Sequence, residues 1–223
     1  MEPNLKTDKL LTLIKSKDLE NFLVEWSILK NQITEKEKQE LLVTIIDYYY
    51  EENEFTFFKN IFEKIIESKV SLNFSIKYWT PTFLSVAVNH TSRQLFDYLL
   101  RYGAKLNFIG DKYEGESEET IKQEVRDDND RYSTCLDFAQ LKLDDMLTTD
   151  FDLAEMAWDK VKDFDPNEEP VGNITITKRE YILLLEQSEY LHDLVKLDRL
   201  VDHIKSLGGK EYSEIVEERK AHK

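Results

Sequence analysis

One segment of the chain repeats itself at an offset of 34 residues: IFEKIIESKVSLNF at 61–74 is followed by LFDYLLRYGAKLNF at 95–108. The apolar positions coincide, with Ile61, Phe62, Ile65, Ile66, Val70, Leu72 and Phe74 matching Leu95, Phe96, Leu99, Leu100, Ala104, Leu106 and Phe108. The first four of each set have the spacing of one face of an amphipathic helix. A period of about 34 residues is typical of helix pairs that stack side by side, because one pair is too thin to bury its own apolar face.

The second copy also carries signals for the ends of helices. Thr80 and Pro81 are expected to open a helix, with Thr80 as its N-cap and Pro81 at the first helical position, where a missing N–H is tolerated. Thr91 and Gln94 have the spacing of a capping box for the next helix. Gly103 stands where a residue in the left-handed conformation ends that helix. These signals predict two helices joined by a short turn.

The residues of this copy resemble the ankyrin repeat. TPTFLSV at 80–86 is similar to the Thr-Pro-Leu-His-Leu-Ala-Ala that begins the family's first helix. LLRYGAKLN at 99–107 is similar to the Leu-Leu and Gly-Ala-Asp-Val-Asn that end its second helix. Partial matches lie elsewhere in the chain, as TCLDFA at 134–139, LVDHIKSLGGK at 200–210 and LLTLIKSKDLE at 10–20.

The sequence departs from the family pattern at two places: Phe83 and Asp137 replace its His, and Lys69 and Val70 replace its Gly-Ala. The resemblance implies an all-α fold, an ankyrin-like solenoid of stacked helix pairs, and a protein-binding role. We expect a single domain spanning 1–223, with irregular insertions and one short hairpin. The repeats are expected at about 5–33, 34–75, 76–108 and 131–212, and the insertions at about 109–131 and 148–177. A helical bundle without ankyrin stacking is the alternative.

Local patterns outline the second insertion. Apolar residues on one face predict a helix at 152–162, and NITIT at 173–177 predicts a short strand. Thr177 with Glu180 has the spacing of a capping box for the helix that follows. A further helix at 197–207 is expected to close the array.

Composition and charge exclude several classes of protein. The one cysteine, Cys135, excludes an internal disulfide framework, and we expect it to be a structural residue at a helix start. The N-terminus is too polar for a signal peptide, and no apolar run approaches the 18 or so residues of a membrane span, so we expect a cytoplasmic chain without a membrane segment. A net charge of −15 and a pI near 4.8 disfavour direct contact with nucleic acid or anionic lipid and favour a basic partner.

The sequence carries no pattern for catalysis or for a cofactor. Gly110 and Gly115 do not form a phosphate-binding loop. No His-Glu-x-x-His occurs, and an enzyme would need a pocket that gathers His192 or His203 with carboxylates. DDND at 127–130 resembles the start of a calcium loop, but the RYS that follows breaks the EF-hand spacing. We therefore expect no enzyme activity, no metal and no cofactor.

The candidate partner-binding residues are aromatic and acidic. Tyr78 and Trp79 precede a helix start, in the turn that points to the binding groove in the resembling family, and amphipathic aromatic residues are typical interface anchors. The first insertion is strongly acidic, with a net charge of −6 between Asp111 and Asp130 (nine acids against three basic residues). The full set of candidates is Tyr78, Trp79, Asp111, Tyr113, Glu114, Glu116, Asp127, Asp128 and Asp130.

These features favour a non-enzymatic protein-binding module. Its sharper form is an acidic inhibitor, of the kind that gives immunity to a basic toxin or effector, whose carboxylates steer a cationic partner and occupy its substrate site. A generic scaffold or adaptor, in which the acidity only maintains solubility, is one alternative. A mimic of nucleic-acid charge that blocks a DNA-binding protein is another.

Overall fold

A computed structural model of the chain describes residues 5–49, 55–76, 81–113, 116–127, 131–149, 158, 161 and 178–221. Its elements in chain order are α1 (Leu5–Lys15), α2 (Leu19–Leu29), α3 (Glu35–Tyr49), α4 (Phe55–Ile66), α5 (Phe83–Asn89), α6 (Arg93–Arg101), β1 (Gly110–Asp111), α7 (Glu118–Glu124), β2 (Tyr132–Ser133), α8 (Cys135–Thr149), α9 (Lys178–Gln187), α10 (Glu189–Ser206) and α11 (Tyr212–Ala221). The all-α prediction is confirmed. Within these described ranges, no helix is both long enough and apolar enough to cross a membrane.

The helices pack as pairs. α1 packs on α2, α3 on α4, α5 on α6, and α8 on α10. The first helices of these pairs also contact one another in order, α1 against α3, α3 against α5, and α5 against α8, while α2 contacts α4. One continuous hydrophobic core extends through all four pairs. Burial of apolar faces between neighbouring pairs therefore holds this part of the chain together.

The repeated phenylalanines occupy equivalent positions in the structure. Phe62 and Phe96 are both fully buried. The ring centroid of Phe62 lies 5.2 Å from that of Tyr98 in the following pair. The Phe96 ring contacts His203 of the next pair edge-on, at 6.4 Å. Tyr98 and His203 correspond, because each lies five residues before the residue with positive φ that follows its helix. The 34-residue periodicity therefore extends from the sequence to the packing.

Three second helices end in the same backbone conformation. The residues that follow α4, α6 and α10 are Lys69, Gly103 and Gly208, with φ of +62°, +99° and +84°. Gly103 confirms the sequence prediction of a left-handed helix end. Lys69 adopts this conformation with a side chain, although L-residues other than glycine are disfavoured there by roughly 1–2 kcal/mol.

Two asparagines link consecutive pairs through the same hydrogen bonds. The carboxamide of Asn73 donates to the carbonyl oxygen of Gly103 (3.3 Å) and accepts from the N–H of Lys105 (2.7 Å). The carboxamide of Asn107, 34 residues later, donates to the carbonyl oxygen of Gly208 (3.1 Å) and accepts from the N–H of Lys210 (2.8 Å). Both belong to the repeated Leu-Asn-Phe, so this tripeptide supplies the link between one helix end and the next.

Two helix starts differ from the sequence prediction. Thr82, not Thr80, is the N-cap of α5, and its hydroxyl accepts from the N–H of Ser85 (3.2 Å). Ser92, not Thr91, is the N-cap of α6. Thr91 has a φ of +48° and ends the turn that follows α5. An N-cap residue needs an extended backbone, and Ser92 is the first residue after this turn that has one.

The first insertion begins and ends in a small antiparallel sheet. β1 pairs with β2, with Gly110 opposite Ser133 and Asp111 opposite Tyr132. The segment between the strands contains α7, and we call residues 112–131 the acidic finger. A Cβ on Gly110 would lie 1.7 Å from the carbonyl oxygen of Pro81, so the strand is in direct contact with the backbone that precedes α5. Within the described part of the chain, this two-stranded sheet is a short hairpin.

The second insertion lies largely outside the described residues. Of the predicted helix at 152–162, only Trp158 and Val161 are described, and both are helical. The predicted strand at 173–177 and the N-cap at Thr177 fall outside the described part of the chain. α9 packs on α10 and forms a second, smaller core with members Val161, Tyr181, Leu191, Leu194 and Val195.

Candidate binding surface

Asp111 lies at the base of the acidic finger and fixes its backbone. One carboxylate oxygen accepts from Nε (3.0 Å) and Nη2 (2.7 Å) of Arg131, which lies at the other end of the finger. The other oxygen accepts from the N–H of Tyr113 (2.9 Å), and the N–H of Asp111 donates to the hydroxyl of Ser75 (2.8 Å). The Arg131 guanidinium also lies over the ring of Tyr132, 5.2 Å from its centroid. Asp111 therefore positions the finger, while its own charge is compensated by Arg131.

Most of the other acids of the finger whose side chains the structure describes lie towards solvent. Glu116 is half-buried, and Asp127 is exposed. Glu118 begins α7 with 92 % of its side chain exposed and lies 3.8 Å from Lys122. Exposed pairs of this kind contribute little to stability, so these carboxylates remain accessible to a partner. The remaining candidates, Tyr78, Trp79, Glu114, Asp128 and Asp130, lie outside the described residues.

Half-buried polar contacts between the second helices were not predicted from the sequence. A carboxylate oxygen of Glu63 accepts from the hydroxyls of Tyr102 (2.6 Å) and Tyr98 (3.4 Å). In the next interface, Asp97 lies 2.7 Å from Nε2 of His203. Glu63 and Asp97 are 34 residues apart, so an acid recurs at one repeat position and bonds across the interface each time. That recurrence was readable in the sequence.

The tyrosines of this cluster are held protonated. Burial is the main cause that raises the pKa of Tyr98 above its ordinary value. The hydrogen bond to Glu63 is the main cause that raises the pKa of Tyr102. Both hydroxyls therefore act as hydrogen-bond donors to the carboxylate, and they join α4 to α6.

His203 and Cys135 make contacts that hold the helix pairs together. His203 does pair with a carboxylate, as an enzyme would require, but the pair repeats the position of the Glu63–Tyr98 contact and joins α6 to α10. His192 is exposed. Cys135 is buried with its thiol directed at the carbonyl oxygen of Leu106 (3.3 Å), and burial raises the pKa of this thiol to about 12. Among the described residues, no group of three or more His, Cys, Asp or Glu side chains is arranged to hold a metal ion.

Comparison of the chain with known protein families, curated proteins and solved structures finds no match. The function proposed below therefore depends on the contacts of this chain alone.

Proposed function

We propose that the chain is a non-enzymatic protein-binding module, an ankyrin-like array of stacked helix pairs whose acidic finger receives a basic protein. The observation that carries this proposal is the repeated asparagine link. Asn73 and Asn107 make equivalent bonds to the next helix end, at the same position of a 34-residue period. Phe62 and Phe96, buried at matching positions, support the same stacking.

An array of this kind has surfaces suited to binding. Each pair contacts mainly its neighbours, so the turns and insertions along one edge are not needed for the core and are available to a partner. The finger extends from a base that Asp111 and Arg131 hold with two short hydrogen bonds. A rigid base lowers the entropy lost when a partner orders the finger.

The charge of the chain favours a basic partner. The net charge is −15, and residues 113–130 carry eight acids against Lys122 and Arg126, a net −6. Clustered carboxylates accelerate encounter with a cationic surface and disfavour anionic competitors. In the sharper form of the proposal, the finger enters the cationic substrate site of a toxin or effector and blocks it.

The short sheet allows the finger to be removed cleanly. The N–H of Lys112 donates to the carbonyl oxygen of Arg131 (2.9 Å), which extends the β1–β2 pairing by one step. Replacing residues 113–130 with Asn-Gly therefore closes a two-residue hairpin of the type that antiparallel strands favour. The helix pairs and the Asp111–Arg131 contact are retained.

Binding is measured by capture of partners from cell lysate on the immobilised chain, with mass spectrometry at low and high salt. The expected result is capture of a basic protein that weakens with salt and is lost from the shortened chain. A matched control keeps the finger and replaces its eight acids with their amides, which removes the charge and preserves the shape. If both altered chains capture the same partner as the original, the finger does not bind it and the proposal is wrong. If the amount of captured partner does not change with salt, the result favours the alternative function, a scaffold protein that binds its partner through an apolar surface.

A further inference from the structure

A second candidate surface lies between the first two helix pairs. An open groove of about 630 Å³ runs between the C-terminal ends of α2 and α4. Trp26 and Leu23 contribute its apolar lining, and the indole N–H of Trp26 donates to the carbonyl oxygen of Lys64 (3.2 Å). That bond ties the two helix ends together, so the groove is a fixed feature of the packed pairs.

The groove is basic in a chain that is strongly acidic. It is lined by Lys30, Lys64 and Lys69 against Glu67, a local net charge of +2, whereas the whole chain carries −15. Lys64 pairs with Glu67 at 2.8 Å. Lys30 and Lys69 make no salt bridge to any other residue that the structure describes. We call this surface the lysine groove.

Helix stability explains two of these lysines but not the third. Lys30 and Lys64 lie at helix C-terminal ends, where a positive charge is favourable. Lys69 lies beyond the end of α4 with a φ of +62°, at the position that glycine occupies after α6 and α10. A residue with a side chain is strained there, and backbone strain of this kind is found at ligand-binding sites among other places. The side chain of Lys69 lines the groove.

The apolar surface continues beyond the groove along α2. Val24 and Ile28 are each 55 % exposed. They directly follow Leu23 and Ser27, which line the groove, so they lie on the adjacent face of α2. Open basic grooves flanked by exposed aliphatic side chains suit an extended ligand with both acidic and apolar groups. They suit a small enclosed ligand less well.

We propose that the lysine groove binds an acidic peptide segment of a second partner protein, with carboxylates on Lys30 and Lys69 and apolar side chains on Leu23, Val24 and Ile28. Charge complementarity selects this occupant. The rest of the chain is acidic and repels such a segment, so binding depends on the groove itself. The module then has two surfaces of opposite charge, the acidic finger and the lysine groove.

The test measures binding of three fluorescein-labelled 14-residue peptides to the full chain by fluorescence anisotropy. One peptide alternates Glu and Leu, the second alternates Glu and Ser, and the third alternates Lys and Leu. Saturable binding is expected for the Glu-Leu peptide and weaker or no binding for the other two. Lys69→Gly and Lys30→Ser each remove one charge that lines the groove, and an exposed charge pair contributes about two- to fivefold in affinity. The double variant should therefore bind the Glu-Leu peptide about tenfold more weakly.

Lys69→Gly separates binding from folding, because it relieves the positive-φ strain while it removes the charge. Lys36→Ser is the matched control, since Lys36 is an exposed lysine of α3 outside the groove. The proposal is overturned if the Glu-Leu peptide does not bind, or if Lys36→Ser weakens binding as much as the groove variants do. Binding of phosphatidylserine vesicles in preference to the peptide would also overturn it, in favour of a lipid surface.

Discussion

Replacing Lys69 with glycine should stabilise the chain, although it removes a whole side chain. The φ of +62° disfavours lysine by roughly 1–2 kcal/mol relative to the ordinary helical region. Glycine removes this strain but loses about 0.5–1 kcal/mol more backbone entropy on folding. The free energy of unfolding should therefore rise by about 0.5–1 kcal/mol.

Gly103→Ala is the reciprocal experiment at the equivalent position. A Cβ on Gly103 would meet no atom within 4 Å, so the substitution introduces no clash and tests the φ of +99° alone. The free energy of unfolding should fall by about 1 kcal/mol, because alanine is disfavoured in this conformation.

Urea unfolding followed by circular dichroism measures both changes, with the midpoint compared at constant slope. For a chain of this size, 1 kcal/mol corresponds to a shift of about 2–4 °C in Tm, which thermal unfolding detects. A destabilised Lys69→Gly, or a Gly103→Ala that leaves the midpoint unchanged, would refute the view that these two residues end equivalent helices in the same strained conformation.

Three further predictions follow from single contacts. Gly110→Ala should lower the free energy of unfolding by about 3 kcal/mol in urea titrations, because its Cβ would lie 1.7 Å from the carbonyl oxygen of Pro81. Cys135 should react with Ellman's reagent at pH 8 only after denaturant is added, since burial raises the pKa of its thiol to about 12. The pKa of Tyr98 is raised in the folded chain, so its protonated form contributes stability that is fully present below pH 10 and is lost as pH rises further. Between pH 10 and 11, the urea midpoint of the original chain should therefore fall as pH rises. In Tyr98→Phe the midpoint should fall less over the same range.

The periodic features of the fold were predictable from the sequence. Burial of Phe62 and Phe96 follows from their matching positions in a 34-residue repeat, and Gly103 marks a helix end because few other residues tolerate a positive φ. The helix caps were missed by one or two residues. Thr80 and Thr82 are equally able to cap, and the choice between them is set by backbone angles that neighbouring contacts determine.

The contacts of the candidate surfaces were less accessible to sequence reasoning. Asp111 and Arg131 meet because two short strands pair in one register, and no periodic pattern encodes that pairing. The lysine groove forms where α2 and α4 end side by side, so Lys30 and Lys69 come together only through packing. Glu63 differs, since its match to the acid 34 residues later was visible before the structure.

Amide hydrogen exchange at Lys105 and Lys210 tests the central claim, that one asparagine link repeats between consecutive helix pairs. Both N–H groups donate to an asparagine side chain, Lys105 to Asn73 (2.7 Å) and Lys210 to Asn107 (2.8 Å). Exchange at both should be slow in the original chain. Asn73→Ala should speed exchange mainly at Lys105, and Asn107→Ala mainly at Lys210. Fast exchange at both amides before any substitution, or no selective change after it, would contradict the repeat.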